Sequence, residues 1–339
     1  MKQRGFRYCS TCSHRLQKRG LTAAGTQRWL CTHCVSSATK PRLDLSRAFE
    51  LERFVSWLLG KQSQAELKLP DNITDRTWRD QTAWCWSVAP YPEQTGEVHP
   101  VILLDGIGVG SQVCLVARTP KFVIGWCWVG WESSHTWAKL LNQFPVPTVV
   151  VCDGQKGILL AIARCWPQAR VQRCIFHVWQ NIRVKLTLHP HTEAGRELLQ
   201  LTRDLWQVKS LEQAADWQQQ LEAWHEQHGE FIRERTDKDT SESGKRRWWY
   251  THGRLRSAYY QLSKLLRDNQ LFTHLEAELL TKTDQLIPKT TNYVEGGINS
   301  QLRTKLKLHR GMSEDHQRRL VEWYLYSRTE TPKPPRKFL

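Results

Sequence analysis

The sequence predicts an α/β protein: a sheet built in the order βββαβα, a large all-helical insertion, and two small modules in front. Three observations carry this. Val101–Leu104, Gln112–Arg118, Phe122–Trp131 and Thr148–Cys152 are apolar, β-branched runs of strand length. From Thr192 to Leu286 apolar residues recur at helical spacing, as in Leu198/Leu201/Leu205 and Leu262/Leu265/Leu266. Ahead of the first strand stand two Cys-x-x-Cys pairs and three short helical patterns.

A chain of 339 residues holds two or three domains. Its net charge of +16 and pI near 9.6 point to a polyanionic partner. The distribution says more than the total. Residues 1–42 carry nine Lys/Arg and no acid, and residues 98–187 carry nine against three, Asp105, Glu132 and Asp153. Residues 188–288 carry fourteen against sixteen, and residues 289–339 eleven against five. A segment that nearly excludes carboxylates yet keeps two at strand ends has a use for them. The opening MKQRGFRYC has no apolar leader and no run reaches the length of a membrane span. A cytosolic protein is expected, whose ten cysteines are then not disulfide-bonded.

Taken in order, Cys9-x-x-Cys12 and Cys31-x-x-Cys34 are separated by eighteen residues, a hairpin-sized spacer. Four thiolates so spaced predict a tetrahedral Zn²⁺ ribbon over 1–42, with His14 and His33 as substitute ligands or surface residues. Residues 43–90 read as three short helices, Leu45–Leu59, one capped by Ser63 and closed by Glu66, and Thr74–Trp86. That pattern fits a helix-turn-helix whose recognition helix presents Arg76, Thr77, Arg79 and Gln81, or a plain three-helix packing element. The polar stretch Tyr91–His99 marks a boundary.

In the first part of the sheet domain, 98–187, three strands joined by tight turns imply a meander, followed by a helix capped by Ser134 and a fourth strand. Acids end the first and fourth strands, at Asp105-Gly106 and Asp153-Gly154. The order βββαβα is an RNase H-like arrangement, in which those two strands lie side by side. Neighbouring carboxylates repel unless a cation neutralises them, and hard oxygen ligands suit two Mg²⁺ or Mn²⁺ ions. Cys174-x-x-His177 opens the next helix, either as part of a metal site or as packing beside the acids.

The insertion, 188–288, contains a basic-aromatic cluster, Arg246, Arg247, Trp248, Trp249 and Tyr250, suited to stacking an unpaired base or to helix packing. In 289–328, Thr291 or Asn292 caps a helix whose first turn carries Glu295, followed by the basic residues Arg303, Lys305, Lys307 and Arg310 facing phosphates. The tail, 329–339, is expected to be disordered.

With Asp105 in ILLDG, Asp153 in VVVCDG, Cys174 and His177 in RCIFH, and Glu295 in TTNYVEGGIN, the chain resembles the Mutator-like group of bacterial insertion-sequence DDE transposases. The resemblance covers residues 98–326, with the zinc ribbon as a variant front end. It implies an RNase H-like fold and two Mg²⁺ ions held by Asp105, Asp153 and Glu295. It also implies cleavage and strand transfer at double-stranded terminal inverted repeats and target DNA, in a homodimer or higher assembly. The role of the Cys174/His177 pair stays open. The alternatives are a non-catalytic DNA-binding regulator and an RNase H-like nuclease acting on branched DNA.

Overall fold

A computed structural model describes residues 8–9, 11–12, 14–23, 25–39, 43–67, 74–237, 248–291 and 297–339, with the backbone alone at 43–46. In chain order the elements begin with β1 (Leu16–Leu21), β2 (Gln27–Cys31), β3 (Ser37–Ala38), α1 (Leu43–Leu58) and α2 (Asp75–Thr82). Next come β4 (Val101–Val109), β5 (Gln112–Arg118), β6 (Val123–Val129), α3 (Ser134–Leu141), β7 (Val149–Cys152), α4 (Lys156–Cys165), β8 (Arg170–Arg173) and α5 (Ile175–Leu186). The rest are α6 (Glu193–Asp204), α7 (Leu211–His228), β9 (Arg235–Asp237), β10 (Trp248–Tyr250), α8 (Gly253–Arg267), α9 (Ala277–Thr283), α10 (Ser300–Leu308) and α11 (Glu314–Tyr326). Two compact units result: Met1–Glu93 with Asn299–Leu339, and Gln94–Ile298.

In Gln94–Ile298 the sheet order is β6-β5-β4-β7-β8. β4, β5 and β6 form the expected antiparallel meander, while β4–β7 and β7–β8 are parallel. The sheet is buried on both faces because alternate residues serve different partners. Ile102, Leu104, Val150 and Cys152 pack on α3 and α4 through Trp137, Leu141, Ile158 and Ile162. Val101, Leu103, Val149 and Val151 pack against Leu279 and Ile287 on the other side. A separate helical core joins α5 through α8, with Ile175, Val178 and Ile182 against Leu198, Trp217, Leu221 and Leu262. Its first helix, α5, lies within the range 98–187 that the sequence assigns to the sheet domain.

In the other unit, β1, β2 and β3 make a three-stranded antiparallel sheet. Leu51, Phe54 and Leu58 of α1 are buried, and the Trp78 and Trp86 rings pack around Trp57. The middle helix expected at Ser63 is instead a turn, held by the Glu66 carboxylate accepting from the Ser63 amide and hydroxyl at 2.8 Å each. The C-terminal helices complete this core, where the sequence assigns 289–328 to the sheet domain. His309 Nε2 lies 3.1 Å from the Leu58 carbonyl, the His316 ring stacks on Trp86 at 3.9 Å, and Arg319 donates to the Trp86 carbonyl at 2.9 Å. The tail expected to be disordered ends in a 3-10 turn, Pro335–Phe338, because Phe338 docks edge-on against Trp323 and Tyr326. Among the described residues no helix is long and apolar enough to cross a membrane.

Candidate functional site

Asp105 does not end its strand. β4 continues to Val109, but past Leu103 it pairs only with β5, because its other neighbour β7 stops at Cys152. Asp105 therefore sits where the sheet narrows, opposite Val116 and beside the end of β7. The β4–β7 register aligns Leu103 with Val151. Carried two residues on, it brings Asp105 and Asp153 to neighbouring positions at this edge. Asp105 is buried, and its Oδ1 accepts from the Gly106 amide at 3.0 Å. Asp153 Oδ1 accepts from the Gln155 amide at 3.0 Å, which shapes the turn into α4.

A buried guanidinium fixes the backbone beneath Asp153. Arg173, at the end of β8, donates through Nε and Nη2 to the Asp153 carbonyl at 3.1 and 2.6 Å. It lies so close over Gly154 that a Cβ there would meet Nε at 1.8 Å, and Gly154 has φ +72°. The Asp-Gly pair thus serves both a left-handed turn and the passage of an arginine.

A third carboxylate joins from Glu132, which sequence reading passed over. It follows β6, whose C-terminal end shares this edge because β6 runs in the same direction as β4. A Cβ on Gly106 would lie 2.5 Å from Glu132 Oε1, and Trp137 Nε1 donates to Oε2 at 3.2 Å. Burial first, then the Asp153 charge, push the Glu132 carboxyl above its usual range, against the lowering effect of Trp137. The signal was available: Glu132 is the third acid in a segment holding only three. The three acids at this edge offer carboxylate oxygens, the chemistry that Mg²⁺ and Mn²⁺ select. Among the described residues these acids do not draw together tightly enough to form a metal cluster, as expected for like charges. Glu295 lies outside the described residues.

Cys174 is fully buried one residue past β8, and its amide donates to the Cys152 carbonyl at 2.8 Å. His177 follows on the first turn of α5, half-buried, with its ring 6.0 Å from Phe176. Among the described residues no third metal-binding side chain groups with this pair.

The four ribbon cysteines do converge. Their sulfurs all lie within 4.8 Å of one another, with Cys9–Cys34 at 3.4 Å and Cys12–Cys31 at 3.3 Å. A tetrahedral zinc with bonds of about 2.3 Å sets sulfurs about 3.8 Å apart, within easy adjustment of these positions. Both knuckles repeat one turn: the Cys9 amide donates to the His14 carbonyl at 2.8 Å and the Cys31 amide to the Ser36 carbonyl at 2.9 Å. Burial opposes ionisation of Cys9, but the Ser36 hydroxyl and the Thr11 amide on its sulfur outweigh it and bring the thiol down to about 5. His14 and His33 stack at 3.8 Å and group with Cys12 as a substitute ligand set. The buried apolar residues of the ribbon are few, Leu16 with Cys9 and Cys31. Chelation, or Cys31→Ser, is therefore expected to unfold residues 8–39 by removing about 10 kcal/mol of metal-binding free energy. Metal analysis with NMR of the ribbon amides checks this; native amide dispersion in metal-free protein would exclude a structural zinc.

The basic residues divide. Arg76 and Arg79 are exposed on α2, whose N-cap Thr74 accepts from the Thr77 amide at 3.2 Å. Arg303 and Lys307 are exposed on α10, but Lys305 is engaged, its ammonium donating to the Leu59 and Gly60 carbonyls that follow α1. Trp248 and Trp249 stand exposed on β10, with Arg235 packed 4.1 Å over the Trp248 ring, and Arg246 and Arg247 lie outside the described residues.

Residues 113–242 match a family described as transposase, Mutator family. The sequence resemblance holds. The matched range contains Glu132, Asp153, Cys174 and His177 and excludes Asp105 and Glu295. Over 147 residues the chain is 28% identical to the transposase for insertion sequence element IS905 of Lactococcus lactis subsp. lactis (strain IL1403), covering 38% of this chain and 36% of that one. Over 86 residues it is 30% identical to the transposase for insertion sequence element IS1201 of Lactobacillus helveticus, covering 24% and 23%. The chain thus matches little more than a third of the length of the first of these relatives and under a quarter of the second.

Proposed function

We propose that this protein is an insertion-sequence transposase that binds terminal inverted repeats and cuts and joins DNA at Asp105, Asp153 and Glu295. The observation that carries this reading is the parallel β4–β7 pairing, whose register leads to Asp105 on β4 and Asp153 just past β7 at one sheet edge, in a chain of which residues 113–242 match Mutator-family transposases. The strand order β6-β5-β4-β7-β8 supports an RNase H-like catalytic domain, with α6 to α8 as its helical insertion.

Each residue has a task in this reading. Asp105 and Asp153, with Glu295, hold two Mg²⁺ or Mn²⁺ ions, and Arg173 keeps the Asp153 turn rigid beneath them. Bound there, the ions supply Lewis acidity for an in-line phosphoryl displacement. Hydrolysis of the phosphodiester at the element's end leaves a 3′-OH, and that hydroxyl displaces an oxygen at a target phosphodiester. Neither step needs a covalent protein intermediate. Arg76 and Arg79 of α2 read and grip the terminal repeat, while Arg303 and Lys307 of α10 contact phosphates, with the zinc ribbon adding positive charge. Two ends must be joined, so a dimer or larger assembly acts, in the bacterial cytoplasm where the nucleoid lies.

The test is cleavage of end-containing DNA in Mg²⁺. Asp105→Asn and Asp153→Asn are each expected to lower it by about three orders of magnitude or more while leaving terminal-repeat binding intact. Persistent nicking by either variant overturns the assignment. Wild-type binding with no cleavage would instead indicate a regulator, and preference for junction DNA over repeat ends a branched-DNA nuclease.

A further inference from the structure

Three metal-binding side chains meet at the surface of the ribbon, outside the four-sulfur cluster. The ligand atoms of Cys12, His14 and His33 all lie within 4.8 Å of one another. His14 stands two residues past one Cys-x-x-Cys pair and His33 lies inside the other. The two knuckles that gather the sulfurs therefore also bring the rings together. These rings stack at 3.8 Å with their planes 5° apart, and both are exposed. Cys12 is half-buried, whereas Cys9 and Cys31 are enclosed. Its sulfur is thus within reach of both imidazoles while lying 3.3 Å from Cys31 in the ribbon's own cluster.

One ring is already oriented as a ligand. His14 Nδ1 lies 2.9 Å from the Cys12 carbonyl. A carbonyl only accepts, so Nδ1 holds a proton and Nε2 of the neutral ring carries the lone pair. A backbone carbonyl on the far nitrogen is what fixes tautomer and ring direction in metal-bound histidines. The spacing needs little change. A tetrahedral ion with bonds of about 2.0–2.1 Å to nitrogen and about 2.3 Å to sulfur sets the nitrogens about 3.3 Å apart and the sulfur about 3.6 Å from each. Charge permits the ion as well. Four thiolates holding one Zn²⁺ carry two net negative charges, which a second divalent ion on neutral imidazoles cancels. A zinc-bound thiolate keeps further lone pairs, so one sulfur can serve two ions.

We propose that Cys12, His14 and His33 bind a second transition-metal ion of the Zn²⁺ or Co²⁺ class, bridged through the Cys12 sulfur to the ion of the four cysteines. Three protein ligands leave a fourth position for water or an anionic oxygen, reached from solvent because both histidines are exposed. Imidazole and thiolate donors set this ion apart from Mg²⁺, which selects carboxylates. The inference rests on the ribbon zinc through the shared sulfur alone, and its test separates the two.

The full-length protein is kept reduced, loaded with one equivalent of Zn²⁺, held in excess Mg²⁺ and titrated with Co²⁺. Visible absorption reads tetrahedral cobalt, near-ultraviolet absorption reads thiolate-to-cobalt charge transfer, and a chromogenic chelator reads released zinc. One equivalent of Co²⁺ is expected to bind with both spectral signatures and without releasing zinc. His14→Ala and His33→Ala should each weaken this binding by about 100-fold or more, beyond the 10–100-fold typical of a supporting hydrogen bond. Both rings are exposed, so both variants should keep the ribbon's amide spectrum in the zinc form. His189→Ala, at an exposed histidine elsewhere in the chain, should change nothing.

Cobalt binding that is unchanged in both ribbon variants, or that falls equally in His189→Ala, overturns the site. Binding without charge transfer overturns the part of Cys12. Zinc released in step with cobalt uptake also overturns the proposal, because it means one site that exchanges its ion. If the protein takes up no Zn²⁺ yet binds Co²⁺ through His14 and His33, the four-cysteine reading fails and the bridge with it, while the three-ligand site stands.

Discussion

Gly154→Ala is expected to destabilise the Gln94–Ile298 unit by about 4 kcal/mol, from a left-handed backbone that costs alanine about 1–2 kcal/mol and from displacement of Arg173. An arginine tip ordinarily swings away from a new methyl group. Here it is buried and spends two hydrogen bonds on the Asp153 carbonyl, so moving it leaves a charge without its acceptor. Gly96 provides the control, since it lies in the same unit at φ +70° with nothing within 4 Å of where an alanine methyl group would stand. Gly96→Ala should therefore show the backbone cost alone, about 1–2 kcal/mol. Urea unfolding of both variants measures the difference. Equal losses would mean that Arg173 yields freely and does not brace the Asp153 turn. Nicking should fall further in Gly154→Ala than the stability loss explains, because the turn carries a proposed catalytic acid.

Removing residues 299–339 is expected to prevent residues 43–93 from folding. The deletion removes Leu302, Leu320, Val321, Trp323, Tyr324, Leu325 and Tyr326, all buried, from the unit that also holds α1 and α2. At about 1.5–3 kcal/mol for each buried side chain, the loss, about 10–20 kcal/mol, matches or exceeds the roughly 5–15 kcal/mol by which whole domains are stable. It also uncaps α1, since Lys305 and His309 hold the carbonyls at its C-terminal end. Circular dichroism and NMR of a zinc-loaded 1–93 fragment provide the measurement. Dispersed amides from the ribbon with random-coil shifts over 43–93 are the expected result. A natively folded α1–α2 pair would show that the C-terminal helices are dispensable to it.

Four of the five strands, and the pairing of the first with the fourth, were legible in the sequence because each is an apolar, β-branched run of strand length. The four-cysteine cluster was legible because both knuckles are local and carry their own spacing. Partner choice over long distances was not. The apolar face of α11 announces a buried helix, but nothing in its periodicity says whether it covers the sheet or α1. The same holds for α5, whose Ile175, Val178 and Ile182 read equally well as facing the sheet or the helical core. Asp105 read as a strand end because Gly106 follows it, yet a strand tolerates glycine where β5 still pairs with it. Lys305 read as one of a basic row, and only the fold reveals the carbonyls that occupy it. Glu132 was missed for a different reason: it precedes a helix cap, Ser133, and so looked like an ordinary helix start.

The sharing of one unit between Met1–Glu93 and Asn299–Leu339 sets an order of events during synthesis. The zinc ribbon can close as soon as it leaves the ribosome, and the sheet of Gln94–Ile298 can form once its own strands are out. The α1–α2 core must wait until α11 emerges, about 12–50 s after α2 is made at elongation rates of about 5–20 residues per second. A chain whose translation stops early therefore has a ribbon and a sheet, but lacks the finished module that carries Arg76 and Arg79. The exposed face of α2 that carries Arg76 and Arg79 is thereby reserved for completed copies.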